Sequence, residues 1–239
     1  MMIDGLLNAI VNFTFFGILV LIRKSYHKEG LDSFLIHWDK RGIRLFLEGL
    51  IVGIVFIGLY PVFITIFGFG RLTFDITKIL NTIILLVVHG LGYLAVAVLE
   101  EALFRGYIFI KLVNRFSVPT ALGISSIIFG GLHFMAYSGS RYFLIGLVNA
   151  TLIGVLLCIV VIKTKSLMLA IGYHLTWNLG QRLMLTRGLS SINLELQSNI
   201  LAGAGKSPET GLFVSLILIL MAIYVFIRWR NMDEAKEIS

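Results

Sequence analysis

Long runs of apolar residues, separated by short polar segments, dominate the chain. Seven runs are long enough to cross, or nearly cross, a hydrocarbon core of about 30 Å. Runs of this kind predict helices, because inside a bilayer a segment must satisfy its own backbone hydrogen bonds. They lack the alternation of apolar and polar residues that barrel strands show. The predicted spans cover residues 5–22, 44–69, 79–104, 118–136, 142–162, 166–184 and 211–228.

The composition also indicates a membrane protein. Of the 239 residues, 58% are hydrophobic and 14% are charged, and the mean hydropathy is +0.94. A soluble domain is closer to half apolar and a quarter charged, so an ordinary cytosolic enzyme, a disordered chain and a secreted disulfide scaffold are excluded. The single cysteine, Cys158, cannot close a disulfide within the chain. We therefore expect an all-α, polytopic membrane bundle with about seven transmembrane helices.

The basic residues predict the orientation of the chain, because cytoplasmic segments carry an excess of Lys and Arg. With the N-terminus outside, the inner segments contain 14 of the 20 basic residues and the outer segments contain six. We predict an N-out, C-in topology and attribute the net charge of +7 to it rather than to a nucleic-acid partner. The inner residues are Arg23, Lys24, Lys28, Lys40, Arg41, Arg44, Arg105, Lys111, Arg115, Lys163, Lys165, Arg228, Arg230 and Lys236, and the outer residues are Arg71, Lys78, Arg141, Arg182, Arg187 and Lys206.

Two long polar segments separate the predicted spans. Residues 23–43 are polar and basic, and they predict a loop or an interface helix. Residues 185–210 contain several glycines and a proline, and they predict a loop on the outer side.

The third predicted span ends in two adjacent carboxylates, which are costly inside a membrane. Glu100 and Glu101 follow about twenty apolar residues, and Arg105 comes one helical turn later. Glu101 and Arg105 are spaced i, i+4, which suits an ion pair on one helical face. Glu100 points about 100° away from Glu101 and has no cation on its own helix.

Two later spans carry histidines. His174 and Asn178 share one face of the sixth span, because their spacing is also i, i+4. In a helical hairpin that turns near residues 115–119, Glu100 and His133 lie at nearly the same depth, roughly 25 Å from the inner end. His174 lies only about 14 Å past its own turn, so we expect its depth to differ from theirs by roughly 10 Å.

These polar residues allow two chemical interpretations, although a lone intramembrane histidine is often only a packing residue. In the first, Glu100 is a general base that takes a proton from water, with His133 helping to hold that water. His174 and Asn178 then donate hydrogen bonds to the oxyanion of a cleaved amide. In the second, Glu100, His133 and His174 bind zinc, although the chain has no His-Glu-x-x-His helix. Both interpretations end in hydrolysis of a peptide bond.

Three motifs in this region resemble those of the CPBP family, the CAAX proteases and bacteriocin-processing proteins that are also called the Abi family. The resemblance covers roughly residues 85–182, and the motifs occur in the family's order. They are Glu-Glu-x-x-x-Arg at Glu100, Glu101 and Arg105, Phe-x-x-x-His at Phe129 and His133, and His-x-x-x-Asn at His174 and Asn178.

The resemblance implies an intramembrane endopeptidase with a catalytic core at residues 79–184. Residues 1–78 are then accessory N-terminal helices, and residues 185–239 are a loop and a C-terminal helix. The preferred mechanism needs no cofactor, although the family is often labelled as metalloproteases. By position, Glu100 is the water-activating base with His133 as its partner, His174 and Asn178 stabilise the oxyanion, and Glu101 and Arg105 support the site.

The resemblance also implies the kind of substrate. In eukaryotic relatives the substrate is a prenylated protein that loses the three residues after its modified cysteine. Bacteria generally lack protein prenylation, so we expect a membrane-associated or secreted bacterial peptide, cleaved at the plasma membrane. Two other functions remain open: a non-catalytic scaffold or bacteriocin-immunity protein, and a transporter that uses the same residues as a proton relay.

The orientation can be tested with a reporter fused after Ser239. Because the basic residues favour a C-in topology, the reporter should remain in the cytoplasm. A reporter that is active only outside would contradict the N-out, C-in prediction.

Overall fold

The computed structural model of the chain describes residues 2–28, 31–186, 189–204 and 207–228, and helices make up most of them. In chain order the α-helices are α1 (Met2–Ile22), α2 (Lys40–Ile66), α3 (Ile79–Leu103), α4 (Ile110–Val113), α5 (Val118–Leu132), α6 (Phe134–Tyr137), α7 (Phe143–Thr164), α8 (Met168–Leu185) and α9 (Leu212–Arg228). The strands are β1 (Gly70–Phe74) and β2 (Ile192–Leu196). Short 3₁₀ turns lie at Leu31–Phe34, Ile76–Lys78 and Pro208–Thr210, and π-helical turns at Arg23–His27 and Phe104–Phe109.

Six of the seven predicted spans each coincide with one helix, the fourth is divided between α5 and α6, and the protein is an all-α, polytopic membrane bundle. Four helical stretches are long and apolar enough to cross a bilayer: Ile3–Tyr26, Lys40–Ile66, Ile76–Val113 and Phe143–Thr164. Helices α5 and α9 are apolar but shorter. The crossing of all seven helices therefore remains a prediction.

The loops that were predicted to be outer form a small sheet that the sequence interpretation missed. Strand β1 follows α2, and β2 lies within the segment that was expected to be a loop. The two strands pair antiparallel, with Gly70 opposite Leu196 and Phe74 opposite Ile192. The sequence Ile-Asn-Leu-Glu-Leu of β2 alternates apolar and polar residues, which is typical of a strand with one buried face. The pairing places both segments at the same end of the bundle, as the predicted topology requires.

At the opposite end of the bundle, the segments that were predicted to be inner form hydrogen bonds with one another. Arg23 is buried, donates from Nη1 to the carbonyl oxygen of Gly106 at 2.8 Å and lies over the ring of Phe34. Arg41 donates to the carbonyl oxygen of Thr164 at 2.8 Å. This part of residues 23–43 therefore contacts the helices of the bundle through Arg23 and Arg41. Arg187, Lys206, Arg230 and Lys236 lie outside the described residues, and the absolute orientation remains a prediction.

Helix α8 lies inside the bundle, where it packs against α2 and α3. Two glycines of α2, Gly49 and Gly53, are spaced i, i+4 and face α8. A Cβ at Gly49 would clash with the carbonyl oxygen of Leu169, and one at Gly172 would clash with that of Phe46. Small residues at such a contact let two helix backbones approach closely. This contact fixes the position of α8 and hence of His174.

A matched pair of alanine substitutions tests the role of this contact. Gly49→Ala should lower the free energy of unfolding by about 1–3 kcal/mol, because the added methyl group separates the two backbones. Gly58→Ala, in the same helix but with nothing within 4 Å of its added Cβ, should not lower it. Thermal unfolding of the purified proteins in detergent measures both, and equal stabilities would contradict close packing at Gly49.

Candidate active site

A buried carboxylate, Glu101, joins two helices at the centre of the bundle. Its side chain is fully buried on α3, and its Oε1 atom accepts two hydrogen bonds. Arg105 donates from Nη1 at 2.9 Å, one turn along the same helix. His174 donates from Nδ1 at 2.9 Å, across from α8. The ion pair of Glu101 and Arg105 is therefore joined by His174, which lies 73 positions after Glu101 in the chain.

The ring of His174 is oriented by Glu101. Because the carboxylate accepts from Nδ1, the Nε2 atom points the other way and lies 3.8 Å from Oε2 of Glu100. That separation is too long for a direct hydrogen bond, although it is within ion-pair distance when the His174 ring carries both protons. The expected difference of roughly 10 Å in depth between His174 and Glu100 is therefore wrong. The estimate assumed parallel helices with turns at equal levels, and the contacts of His174 with Glu100 and Glu101 exclude so large a difference.

Glu100 differs from its neighbour because it accepts no hydrogen bond from the described residues, whereas Oε1 of Glu101 accepts two and only Oε2 of Glu101 is left without one. Its side chain is 30% exposed, yet its Oε2 atom is buried and receives no hydrogen bond from the described residues. An unpaired buried carboxylate oxygen is unfavourable unless a water or a substrate group satisfies it. Of the two adjacent carboxylates, Glu101 is thus held by hydrogen bonds from Arg105 and His174, whereas Glu100 accepts none from the described residues.

His133 lies where α5 ends, so the predicted fourth span is interrupted at this residue. Its Nδ1 atom lies 2.8 Å from the carbonyl oxygen of Phe129. Because a carbonyl oxygen can only accept, Nδ1 must carry the proton, and in the neutral ring Nε2 is left as an acceptor. The ring also packs against Phe129 and Tyr137, with centroids 4.7 and 5.9 Å away.

Phe129 connects two of the three motifs physically. Its ring packs on His133, and the guanidinium carbon of Arg105 lies 4.3 Å from its centroid. The backbone around Arg105 is π-helical, from Phe104 to Phe109. Such turns inside α-helices are frequent at functional sites, since they re-aim the side chains.

One cavity, with a volume of about 240 Å³, brings together three of the predicted catalytic residues. His133, His174 and Asn178 all line this central cavity. The Asn178 amide forms no hydrogen bond with another described residue, so it is free to bind a ligand. Glu100 is not among the residues that line the cavity. Its Oε2 atom lies 3.8 Å from Nε2 of His174, which does line it.

Glu209 is a further carboxylate of the central cavity that sequence reasoning missed. Its Oε1 atom accepts from Nε1 of Trp177 at 2.8 Å and from the side-chain amide of Gln181. Its backbone carbonyl accepts from Asn149 at 2.7 Å. Nothing in the local sequence marks a glutamate in a polar loop as part of a cavity in the bundle, because only the fold brings that loop against α8.

The zinc interpretation does not fit the positions of these side chains. No group of three or more His, Cys, Asp or Glu residues in the described part of the chain is arranged to hold a metal ion. Nδ1 of His174 donates to Glu101, and Nδ1 of His133 donates to Phe129. Metal-binding histidines do use such outer partners, but here Glu100, His133 and His174 do not converge on one point.

Comparison with known proteins agrees with the motifs. Residues 81–180 match a family model described as type II CAAX prenyl endopeptidase, Rce1-like. The matched segment contains all six predicted site residues, and it confirms the resemblance to CAAX proteases over this part of the chain. No curated protein and no solved structure gives a significant match.

The different environments of the two carboxylates predict different consequences for the same substitution. Glu101→Gln should lower the free energy of unfolding by about 3 kcal/mol, because it leaves a buried Arg105 without its counter-charge. Glu100→Gln should change it by less than about 1 kcal/mol, because Oε2 has no protein partner to lose. Denaturant unfolding of the purified proteins in detergent measures both values. Equal losses would mean that Glu101 does not hold the helices together.

Proposed function

On the basis of the family match and this geometry, we propose that the protein is an intramembrane endopeptidase in which Glu100 activates water. The match to CAAX endopeptidases supports a protease. The observation that carries the mechanism is that Glu100 is 30% exposed and accepts no hydrogen bond from the described residues, with its Oε2 3.8 Å from His174, which lines the central cavity. A carboxylate in this position can take a proton from a water molecule that lies between it and the substrate.

His133 is the partner of Glu100 in holding that water. With Nδ1 donating to Phe129, the Nε2 atom of His133 accepts a hydrogen bond from the water. The water then attacks the peptide carbonyl carbon while Glu100 removes one of its protons. The tetrahedral intermediate collapses as the C–N bond breaks, and Glu100 returns the proton to the departing amine.

His174 and Asn178 stabilise the negative charge on the carbonyl oxygen of the intermediate. The amide of Asn178 is a donor that lines the cavity, and Nε2 of His174 is a second donor when the ring carries both protons. A donor fixed at such a position is worth about 10²–10³ in rate. Glu101 and Arg105 act indirectly by holding the His174 ring in place.

The substrate of this reaction is a peptide or protein associated with the membrane. It is prenylated only if the host prenylates proteins, and otherwise it is a bacterial membrane-associated or secreted peptide. The alternative role of a scaffold or immunity protein would not require the unpaired buried carboxylate oxygen of Glu100.

The role of Glu100 predicts a loss of cleavage without a loss of protein. In cells with equal amounts of each variant, new protein termini should appear with the wild type and be absent with Glu100→Gln, because loss of a general base costs about 10²–10⁴ in rate. Mass spectrometry of the termini provides the measurement. Glu195→Gln, at an exposed position of β2, is the matched control and should behave as the wild type.

Three outcomes separate the alternatives. Cleavage that persists in Glu100→Gln would refute the assigned base. A phenotype that is lost on deletion of the chain but retained in Glu100→Gln, with unchanged termini, would favour the scaffold. Cleavage by the purified protein that stops with a chelator and returns with zinc would favour the metal mechanism.

A further inference from the structure

The central cavity contains a negative charge at Glu209. Among the described residues that line this cavity, Glu209 is the acidic one, and no Lys or Arg accompanies it. Arg182, one turn beyond Asn178 on α8, lines two neighbouring cavities but not the central one. The carboxylate of Glu209 therefore faces the cavity without a basic side chain beside it.

The two histidines of the cavity do not balance this charge. The ring of His133 is neutral when its Nε2 atom accepts a hydrogen bond from water, as in the proposed reaction. A second proton on His174 is matched by Glu101 and Glu100, whose oxygens lie 2.9 and 3.8 Å from its two ring nitrogens. The charge of Glu209 is thus left for a group that enters the cavity.

Neutral donors hold Glu209 in place. Its Oε1 atom accepts from Nε1 of Trp177 and from the side-chain amide of Gln181, and its side chain forms no ion pair with the described residues. Glu101, by contrast, has the guanidinium of Arg105 at 2.9 Å. Donors without charge fix the position of a carboxylate but leave its charge uncompensated, and such a charge in a largely apolar cavity is stabilised by a cation.

Aromatic rings surround the same space. Tyr137, Tyr173 and Trp177 line the central cavity, and the rings of Tyr173 and Trp177 stack with centroids 6.0 Å apart. The faces of such rings attract ammonium and guanidinium groups, most strongly where water is excluded. The apolar residues of the cavity, such as Leu157 and Val214, suit the methylene stem of a long basic side chain.

The carboxylate of Glu209 lies close to the proposed oxyanion site. On α8, Trp177 comes directly before Asn178 and Gln181 comes three residues after it. The two residues that hold Glu209 therefore lie within roughly 5 Å of Asn178 along the helix axis, at 1.5 Å per residue. A cation bound by Glu209 is beside the reacting bond, at the distance of a neighbouring side chain.

We propose that Glu209 and the surrounding aromatic rings bind the side chain of a Lys or Arg of the substrate, at a residue next to the cleaved bond. The inference rests on the proposed endopeptidase function and adds a specificity-determining residue. Glu209 lies outside the matched segment, which ends at residue 180. The choice of substrate is thus made by the C-terminal region, and the reaction by the matched core.

The cleavage test uses the full chain, purified in a maltoside detergent whose headgroup carries no charge. The probes are random decapeptides that are acylated at the N-terminus and amidated at the C-terminus, so that only side chains carry charge. Mass spectrometry gives the residues on both sides of each cut and the rate. The proteins compared are the wild type, Glu209→Gln, Glu209→Lys and Glu100→Gln, with Glu195→Gln at an exposed position of β2 as the matched control.

We expect Lys or Arg next to the cut, with kcat/KM about 10- to 100-fold higher than for Gln at that position, because a charge-assisted hydrogen bond is added. Glu209→Gln can still accept from Trp177 and Gln181, so it should fold as the wild type but lose the preference through a higher KM. Glu209→Lys should instead favour Asp or Glu at the same position. Glu195→Gln should keep the wild-type preference.

A binding measurement tests the cation site without cleavage. The probes are acylated and amidated Ala decapeptides with Lys or Gln at the fifth position, titrated calorimetrically into Glu100→Gln. The Lys peptide should bind about 10- to 100-fold more tightly than the Gln peptide. The difference should vanish when Glu209→Gln is added to the same protein, and it should persist when Glu195→Gln is added.

The failures of the two proposals are distinguishable. If the wild type cleaves without preferring a basic residue, or Glu209→Gln keeps the preference, the cation site is refuted and the endopeptidase remains. If the wild type cleaves nothing, the proposed function fails, and equal binding of the Lys and Gln peptides refutes the cation site as well. If added phosphatidylethanolamine abolishes the binding difference, Glu209 binds a lipid ammonium, and the assignment to a substrate side chain is overturned.

Discussion

The bond network around the Glu101 carboxylate is the interaction on which the rest of the site depends. A carboxylate with no exposed surface in a membrane bundle is tolerated only if charged and hydrogen-bonding groups surround it. Arg105 supplies the charge from the same helix, and His174 supplies a donor from α8. The same bond that satisfies Glu101 also fixes the ring of His174, so the stability of the bundle and the geometry of the site have one origin.

The adjacent pair Glu100 and Glu101 shows how helix geometry separates two identical side chains. Consecutive residues point about 100° apart, so the two carboxylates enter different surroundings. Glu101 accepts two hydrogen bonds through Oε1, whereas Glu100 accepts none from the described residues and lies beside His174. The two carboxylates thus make different contacts, just before the backbone becomes π-helical at Phe104.

Close backbone contact provides the rigidity that this arrangement needs. The glycines of α2 let α8 approach until the backbones touch, and α8 carries His174, Asn178 and Arg182 on one face. The loop that contains Glu209 closes over the other side of the cavity and is held by Trp177, Gln181 and Asn149. The central cavity is therefore bounded by segments from both the matched core and the C-terminal region.

The sequence by itself determined the helices, the three motifs and the pairing of Glu101 with Arg105, because apolar runs and i, i+4 spacings are local properties. The sheet formed by β1 and β2, the depth of His174, its bond to Glu101 and the presence of Glu209 at the cavity were decided by the tertiary structure. These features depend on how closely and at what angle distant helices pack. A one-dimensional pattern of residues does not contain that information, whereas the close contact of α2 and α8 at their glycines is a property of the folded chain.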